Sequence, residues 1–213
     1  MDDATWRMVT GERLSLADLL EGLTARQWEH PSLCSRWRVK DVAAHLVMTP
    51  AREPPVGTLA AALLRNRGRL WDAGCDVVVA YAARPSGRIT AELRSLACSR
   101  ERPVFVRDEN ILPDLVVHGQ DIALPLGIDR TVPREAAVVA LERFWGLGWP
   151  FHAQRRLRGT RFEAPDCGWS AGEGELVTGD AAALLLLFTG RTAAALERLH
   201  GPGLGWLREL SPR

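Results

Sequence analysis

Ile111-Leu112-Pro113-Asp114-Leu115-Val116-Val117-His118-Gly119-Gln120-Asp121-Ile122-Ala123 is the stretch from which the rest of the chain is best read. Its apolar residues recur at steps of three and four, the rhythm of a helix with a face turned to a core. Asp108 and Asn110 lead into it, and Pro125 and Gly127 end it. Pro113 is expected in the first turn, where its missing N–H has no helical partner in any case. Asp114 and His118 stand four residues apart, so they share a face with Cβ atoms about 5–6 Å apart and can reach one ion. Asp121 lies three residues further on along the same face, where it serves a metal site as a supporting partner or fourth ligand, or simply hydrogen-bonds near the helix end. The last role is the expected one.

Working outward toward the N-terminus, leucines at 14, 16, 19, 20 and 23 keep mostly helical spacing. Val39, Val42, Ala43, Leu46 and Val47 form an apolar stripe over Val39 to Met48, and His45 stands just beside it. Leu59 to about Ala83 reads as one long helix or as two broken near Gly74, and Ile89 to Leu96 as a short one. Several amphipathic helices without strong strands between them predict a helical bundle. After Gly127 the composition shifts. A helix from Pro133 becomes rich in Trp and Gly near Trp145 to Pro150, and Arg158 to Ala164 and Glu175 to Thr178 have the length of strands. The segment from Pro165 to Gly172 reads as turns. Asp180 to Phe188 and Thr192 to Leu199 read as helices split at Gly190. The expectation is therefore a mainly α chain, with a four-helix bundle over residues 1–130 and a small α+β domain over 131–213.

Composition limits what such a chain does. Its 213 residues carry 27 Lys+Arg and 26 Asp+Glu, a net charge of +1, with 46% hydrophobic and 25% charged residues. That is the mix of a globular protein, and the balance argues against a general electrostatic grip on nucleic acid. Lys40 is the only lysine. The longest apolar run, Ala181 to Phe188, falls far short of the roughly 20 residues a membrane span requires. The acidic N-terminus lacks the apolar core of a signal peptide. Cys34, Cys75, Cys98 and Cys167 form no CxxC pair and are expected as free thiols, so a reducing, cytoplasmic setting is expected.

The chemistry-bearing residues leave two readings open. A His from a facing helix, such as His45, would complete with Asp114 and His118 a three-ligand site with an open position, the arrangement of a catalytic zinc centre. The same spacing also serves an exposed ion pair, and a His between Val and Leu also serves as a hydrogen-bonded core residue. His30, His152 and His200 are expected at the surface, and Cys34 is expected to pack rather than react. The arginines at 155, 156, 158 and 161 form either an anion-holding cluster or a solvated face. No phosphate loop, GxSxG elbow or HExxH motif occurs.

The segment from Leu23 through Trp28, His30-Pro31 and Trp37 to Asp41-Val42-Ala43-Ala44-His45-Leu46 resembles the N-terminal signature of the mycothiol-dependent maleylpyruvate isomerase family, which belongs to the DinB-like metal-binding bundles. Asp114 to Gly127 resembles its second signature, and Gly172 to Arg191 is similar to the C-terminal domain that accompanies the bundle. The resemblance implies that His45, Asp114 and His118 bind a divalent metal, zinc in the first place. Better-studied members have Glu where this chain has Asp114, and often Thr or Ser where Arg38 stands, so Ser35 or water is expected to cap the helix here, or its start to shift. Arg191 is implied either as an anion contact or as a residue interacting with the last carbonyls of a helix.

The resemblance further implies mycothiol as cosubstrate and a small electrophile as substrate, with no nucleic acid or membrane partner and a monomer or homodimer as the working form. A metal-activated thiolate would add to a cis double bond, allow rotation about the resulting single bond, and leave; in a transferase it would stay attached. The alternatives are a thiol-independent metal enzyme that tailors a biosynthetic product and a non-catalytic binding or stress protein on the same scaffold.

Overall fold

In the computed structural model the chain forms two compact units, Met1–Arg130 and Thr131–Arg213. The structure describes residues 1–209; the last four residues of the expected second domain, 210–213, lie outside the described residues.

The first unit is helical: α1 (Asp3–Glu21), α2 (Ala25–Trp28), α3 (Val39–Met48), α4 (Val56–Arg65), α5 (Leu70–Tyr81), α6 (Ser86–Ser95) and α7 (Asp108–Ala123). α1 packs on α6 and α7, and α3 packs on the same two, which gives the four-helix core. α1 starts well before the leucine-rich stretch because the Asp2 carboxylate accepts the Thr5 N–H at 2.8 Å and caps it. Its buried stripe is Trp6, Val9, Leu16, Ala17 and Leu20, while Leu14 is left exposed. α4 and α5 form a hairpin that closes over Met48 through Ala62, Ala73, Val77 and Val78.

Three local expectations are corrected here. The break between α4 and α5 falls at residues 66–69, not near Gly74. Arg67 and Gly68 both take positive φ there, 52° and 78°, and Gly74 continues α5. α7 begins at Asp108, so Pro113 lies inside the helix, in its second turn, and costs it one backbone hydrogen bond. Arg38 itself is the N-cap residue of α3. Its side chain caps no first-turn amide; the Val39 N–H donates to the His30 carbonyl at 2.9 Å, while the Asp41 carboxylate accepts the Arg38 backbone N–H at 2.9 Å and is gripped by the Arg38 guanidinium.

The second unit contains α8 (Arg134–Gly146), α9 (Ala153–Arg156), β1 (Thr160–Ala164), β2 (Trp169–Gly172), β3 (Glu175–Thr178), α10 (Ala181–Phe188), α11 (Thr192–Leu196) and α12 (Leu204–Glu209). The sheet order is β2-β1-β3, with β2 antiparallel and β3 parallel to β1. β2 occupies the end of the segment read as turns, so that reading is corrected. Its Trp169 is buried against Trp145 and Phe188, and that packing makes a strand of a sequence with turn composition. The chain then crosses to the far side of β1 through Glu173 and Gly174. A Cβ at Gly174 (φ 118°) would lie 2.1 Å from the Gly159 carbonyl oxygen, so only glycine permits the crossing. α10 is buried on all sides, as its all-apolar sequence requires. No helix among the described residues is long and apolar enough to cross a membrane.

Candidate metal centre

α7 is the buried spine of the first unit. Between Ile111 and Ala123 every residue is buried except Asp114. The one opening in the spine is therefore at a carboxylate, and α3 presents His45 to the same point. His45 Nε2 lies 3.2 Å from Asp114 Oδ2, and His118 Nε2 lies 3.4 Å from Asp114 Oδ1. One ligand atom from each of the three residues falls within 4.8 Å of the other two. The rings of His45 and His118 meet edge to face with centroids 4.9 Å apart, and the Trp37 ring lies 5.2 and 6.1 Å from them.

These distances suit a cation. Zinc holds nitrogen and oxygen ligands at about 2.0–2.2 Å, and tetrahedral angles then separate the ligand atoms by about 3.3 Å. The two separations measured to Asp114 are close to that figure. Two imidazoles and one carboxylate are also the donor set that zinc accepts.

The far side of His118 is equally specific. Its Nδ1 lies 2.8 Å from Oδ2 of Asp121, which is fully buried. Nδ1–H donates to that carboxylate, which turns Nε2 toward Asp114 and His45, the usual way a carboxylate orients a metal-binding imidazole. The Cys34 thiol donates to the same Asp121 oxygen at 3.1 Å and lies 3.7 Å from His118 Nδ1. The loop before α3 brings it there. Pro31 bridges Arg38 across that loop, and Leu33 N–H donates to the Asp121 carbonyl at 3.2 Å.

Electrostatics follow from this crowding. Burial raises the Asp114 carboxyl, but the imidazoles of His118 and His45 outweigh it and hold the group well below the usual carboxylate range. For His118 burial favours the neutral ring, yet Asp114, then Asp121 and Cys34, carry it well above the ordinary imidazole value.

The structure brings together His45, Asp114 and His118. Asp121 does more than hydrogen-bond near a helix end, because it holds His118. Cys34 belongs to that network rather than to general packing. Arg191 lies in the second unit, immediately before α11, and its Nη1 donates to the Thr189 carbonyl at 2.9 Å, just past the end of α10. His30, His152 and His200 are exposed, and no disulfide joins the four cysteines among the described residues. Sequence reasoning did not single out Arg13 or Trp37. Arg13 sits on the apolar face of α1, and a charged residue in a buried stripe is a signal in itself. A cleft of about 220 Å³ is lined by Arg13, His45, Thr49, Phe105, Asn110 and Asp114 among others.

Residues 9–102 match the family model of the mycothiol maleylpyruvate isomerase N-terminal domain, which supports the family resemblance read from the signatures. His45 falls inside the matched stretch, and Asp114 and His118 fall beyond its end. Neither a curated protein nor a solved structure matches the chain significantly.

Proposed function

From the kinship of its first unit to the mycothiol maleylpyruvate isomerase N-terminal domain, we propose that this protein is a metal-dependent enzyme. It joins a low-molecular-weight thiol of the mycothiol type to a small electrophile, as a cis–trans isomerase or an S-transferase. The observation that carries the reading is the convergence of His45, Asp114 and His118 from two helices, with His45 and Asp114 on the wall of a cleft. His45, Asp114 and His118 would hold a divalent metal, with zinc the best fit to two nitrogens and one oxygen. The bound ion would supply the stabilisation that lets a thiol lose its proton near neutral pH.

The chain's own residues do the rest. Asp121 keeps the proton of His118 on Nδ1 and so fixes which nitrogen faces the centre. Asp114, with its side chain 40% exposed, stands at the cleft wall, where a small molecule meets it from solvent. The Trp37 ring limits water beside the two imidazoles. Arg191 enters this proposal as an anion contact on the strength of the resemblance alone.

The test combines metal analysis of the purified chain with turnover. Near-stoichiometric divalent metal is expected, reduced at least tenfold in His118→Ala. Mycothiol and an electrophilic cis-alkene should give product that disappears with chelator. Recovery of the free thiol would mark an isomerase, and its stoichiometric loss a transferase. Absence of bound metal in a folded protein, or turnover indifferent to thiol, would overturn the proposal.

A further inference from the structure

α4 has the sequence of an interior helix but lies at the surface. From Pro54 to Leu64 the chain carries no charge, and a helix without a polar face is normally covered on every side. Here only Ala62 of α4 is buried, in the cluster that holds Met48. The outward stripe runs through Val56, Gly57, Ala60, Ala61 and Leu64, with Leu64 83% and Val56 67% exposed. α5 continues the patch. The antiparallel hairpin sets Leu70 near Leu64 and Val79 near Val56, and both are exposed. Of the ten large apolar side chains exposed among the described residues, five lie in this one hairpin, the fifth being Trp71. Single exposed apolar residues are ordinary, but a concentration of this kind marks an interaction surface.

The charges at its ends decide the partner. Glu53 stands just before α4, and Arg65 and Arg67 stand at its far end. None of the three has an ion-pair partner among the described residues, whereas the neighbouring Arg52 and Arg69 are held by Glu101 and Asp72. An apolar patch with an acid at one end and bases at the other matches a second copy of itself turned end for end. In that two-fold pairing α4 meets α4 antiparallel, Glu53 of each copy faces the Arg67 end of the other, and the helix dipoles oppose. Leu64 of each copy then lies over Gly57 and Ala61 of the other. The space beside Gly57 is open, since a Cβ there would meet nothing within 4 Å. A partner of one charge sign would leave one end of the patch unmatched.

We propose that this face of the α4–α5 hairpin is a homodimer interface, formed by two-fold antiparallel packing of α4 on α4 of a second copy. The assignment stands apart from the metal reading, because no residue of the metal centre takes part in it. A hairpin of two short helices offers at most about the 800 Å² per copy of a standard interface, so a dissociation constant of about 1–100 µM is expected.

The experiment is sedimentation velocity of the full-length chain from about 1 to 300 µM, which spans that range. Leu64→Glu puts a charge from each copy into the apolar contact and is expected to weaken association at least about tenfold. Leu64 is exposed in the single chain, so the circular dichroism spectrum and Tm of the variant should match those of the native chain. Ala61→Glu, also at an exposed position, repeats the test should Leu64→Glu not fold. Arg67→Glu is expected to weaken the dimer about threefold or more, and Glu53→Arg combined with Arg67→Glu to restore it to within about twofold. A chain that stays monomeric at the highest concentration, a dimer that persists in a folded Leu64→Glu or Ala61→Glu variant, or a double variant no tighter than Arg67→Glu alone would each overturn the assignment. So would binding of a monomer to phosphatidylglycerol vesicles that is lost in Leu64→Glu, which would make the covering surface a membrane.

Discussion

Asp121 touches no solvent and is not one of the three residues of the candidate metal centre, yet its replacement should weaken metal binding in a graded way. In the native chain its Oδ2 accepts from His118 Nδ1 at 2.8 Å and from Cys34 Sγ at 3.1 Å. Asp121→Asn keeps an oxygen that can accept the Nδ1 proton but removes the negative charge behind the ring. Asp121→Ala removes both. Loss of a carboxylate behind a metal-binding His costs about 10–100-fold in affinity, equivalent to about 1.4–2.8 kcal/mol. The Asn variant belongs at the lower end of that range and the Ala variant at the upper. Asp121→Ala also leaves the buried imidazole N–H without its acceptor, a folding cost of about 1–3 kcal/mol. Cys34→Ala removes only the thiol and should change metal affinity by less than about threefold, because the carboxylate remains in place. The assay is competition against a chromophoric chelator at fixed pH, with urea denaturation of each metal-free variant alongside. Affinities within about twofold of the native chain in both folded Asp121 variants, or an Asn variant weaker than the Ala variant, would refute the claim that Asp121 acts through His118.

Proton and metal compete for His118, so metal affinity should rise with pH, with about one proton released per ion bound, until the pH exceeds the elevated His118 value; flat affinity between pH 6 and 8 would contradict this. In the metal-free chain the elevated His118 contributes stability that is fully present below about 6.5 and lost as pH rises through its folded value, while the lowered Asp114 contributes stability present above about 3.8 and lost as pH falls toward its folded value. Both terms are in place together between about pH 4 and 6.5, and the difference in Tm between the native chain and His118→Gln should be largest there. Away from the site, Glu12→Ala strands the buried guanidinium of Arg130, whose side chain is 8% exposed against 6% for Glu12, and should cost about 3–5 kcal/mol in urea denaturation; a loss under about 1 kcal/mol would show that Arg130 finds another partner.

The legible part of this protein is what local periodicity and short motifs encode. The helical rhythm of α3 and α7 was visible in the sequence, and so was the i, i+4, i+7 alignment of Asp114, His118 and Asp121 on one face. What could not be read depends on contacts between distant segments. Nothing around Cys34 indicates that the loop before α3 folds its thiol onto a carboxylate 87 positions later. Pro113 argued for a late helix start, but the packing of α7 on α1 and α3 outweighs one lost backbone bond. β2 was hidden because its composition is that of turns and its strand character comes from the burial of Trp169. The break at residues 66–69 lacked a strong signal, since Gly74 is the more obvious breaker and Gly68 lies among arginines. Arg13 could have been noticed as a charge among apolar α1 positions.

The geometry of His118 also constrains what this site does when no metal is bound. Nδ1 is committed as a donor to Asp121 inside the core, where an unmatched carboxylate would be costly. Nε2 then faces Asp114 and His45, and as a bare lone pair it would oppose the Asp114 carboxylate at 3.4 Å. The arrangement is favourable only when positive charge sits between Nε2 and Asp114, either as a proton on the ring or as a cation shared with His45. A purely structural histidine needs one acceptor and would gain nothing from the second acid and the second imidazole. Their presence around the one residue between Ile111 and Ala123 that α7 leaves unsealed is the physical reason to read this cluster as a candidate site that exchanges its proton for a metal ion, and the pH dependence of metal uptake is the measurement on which that reasoning stands.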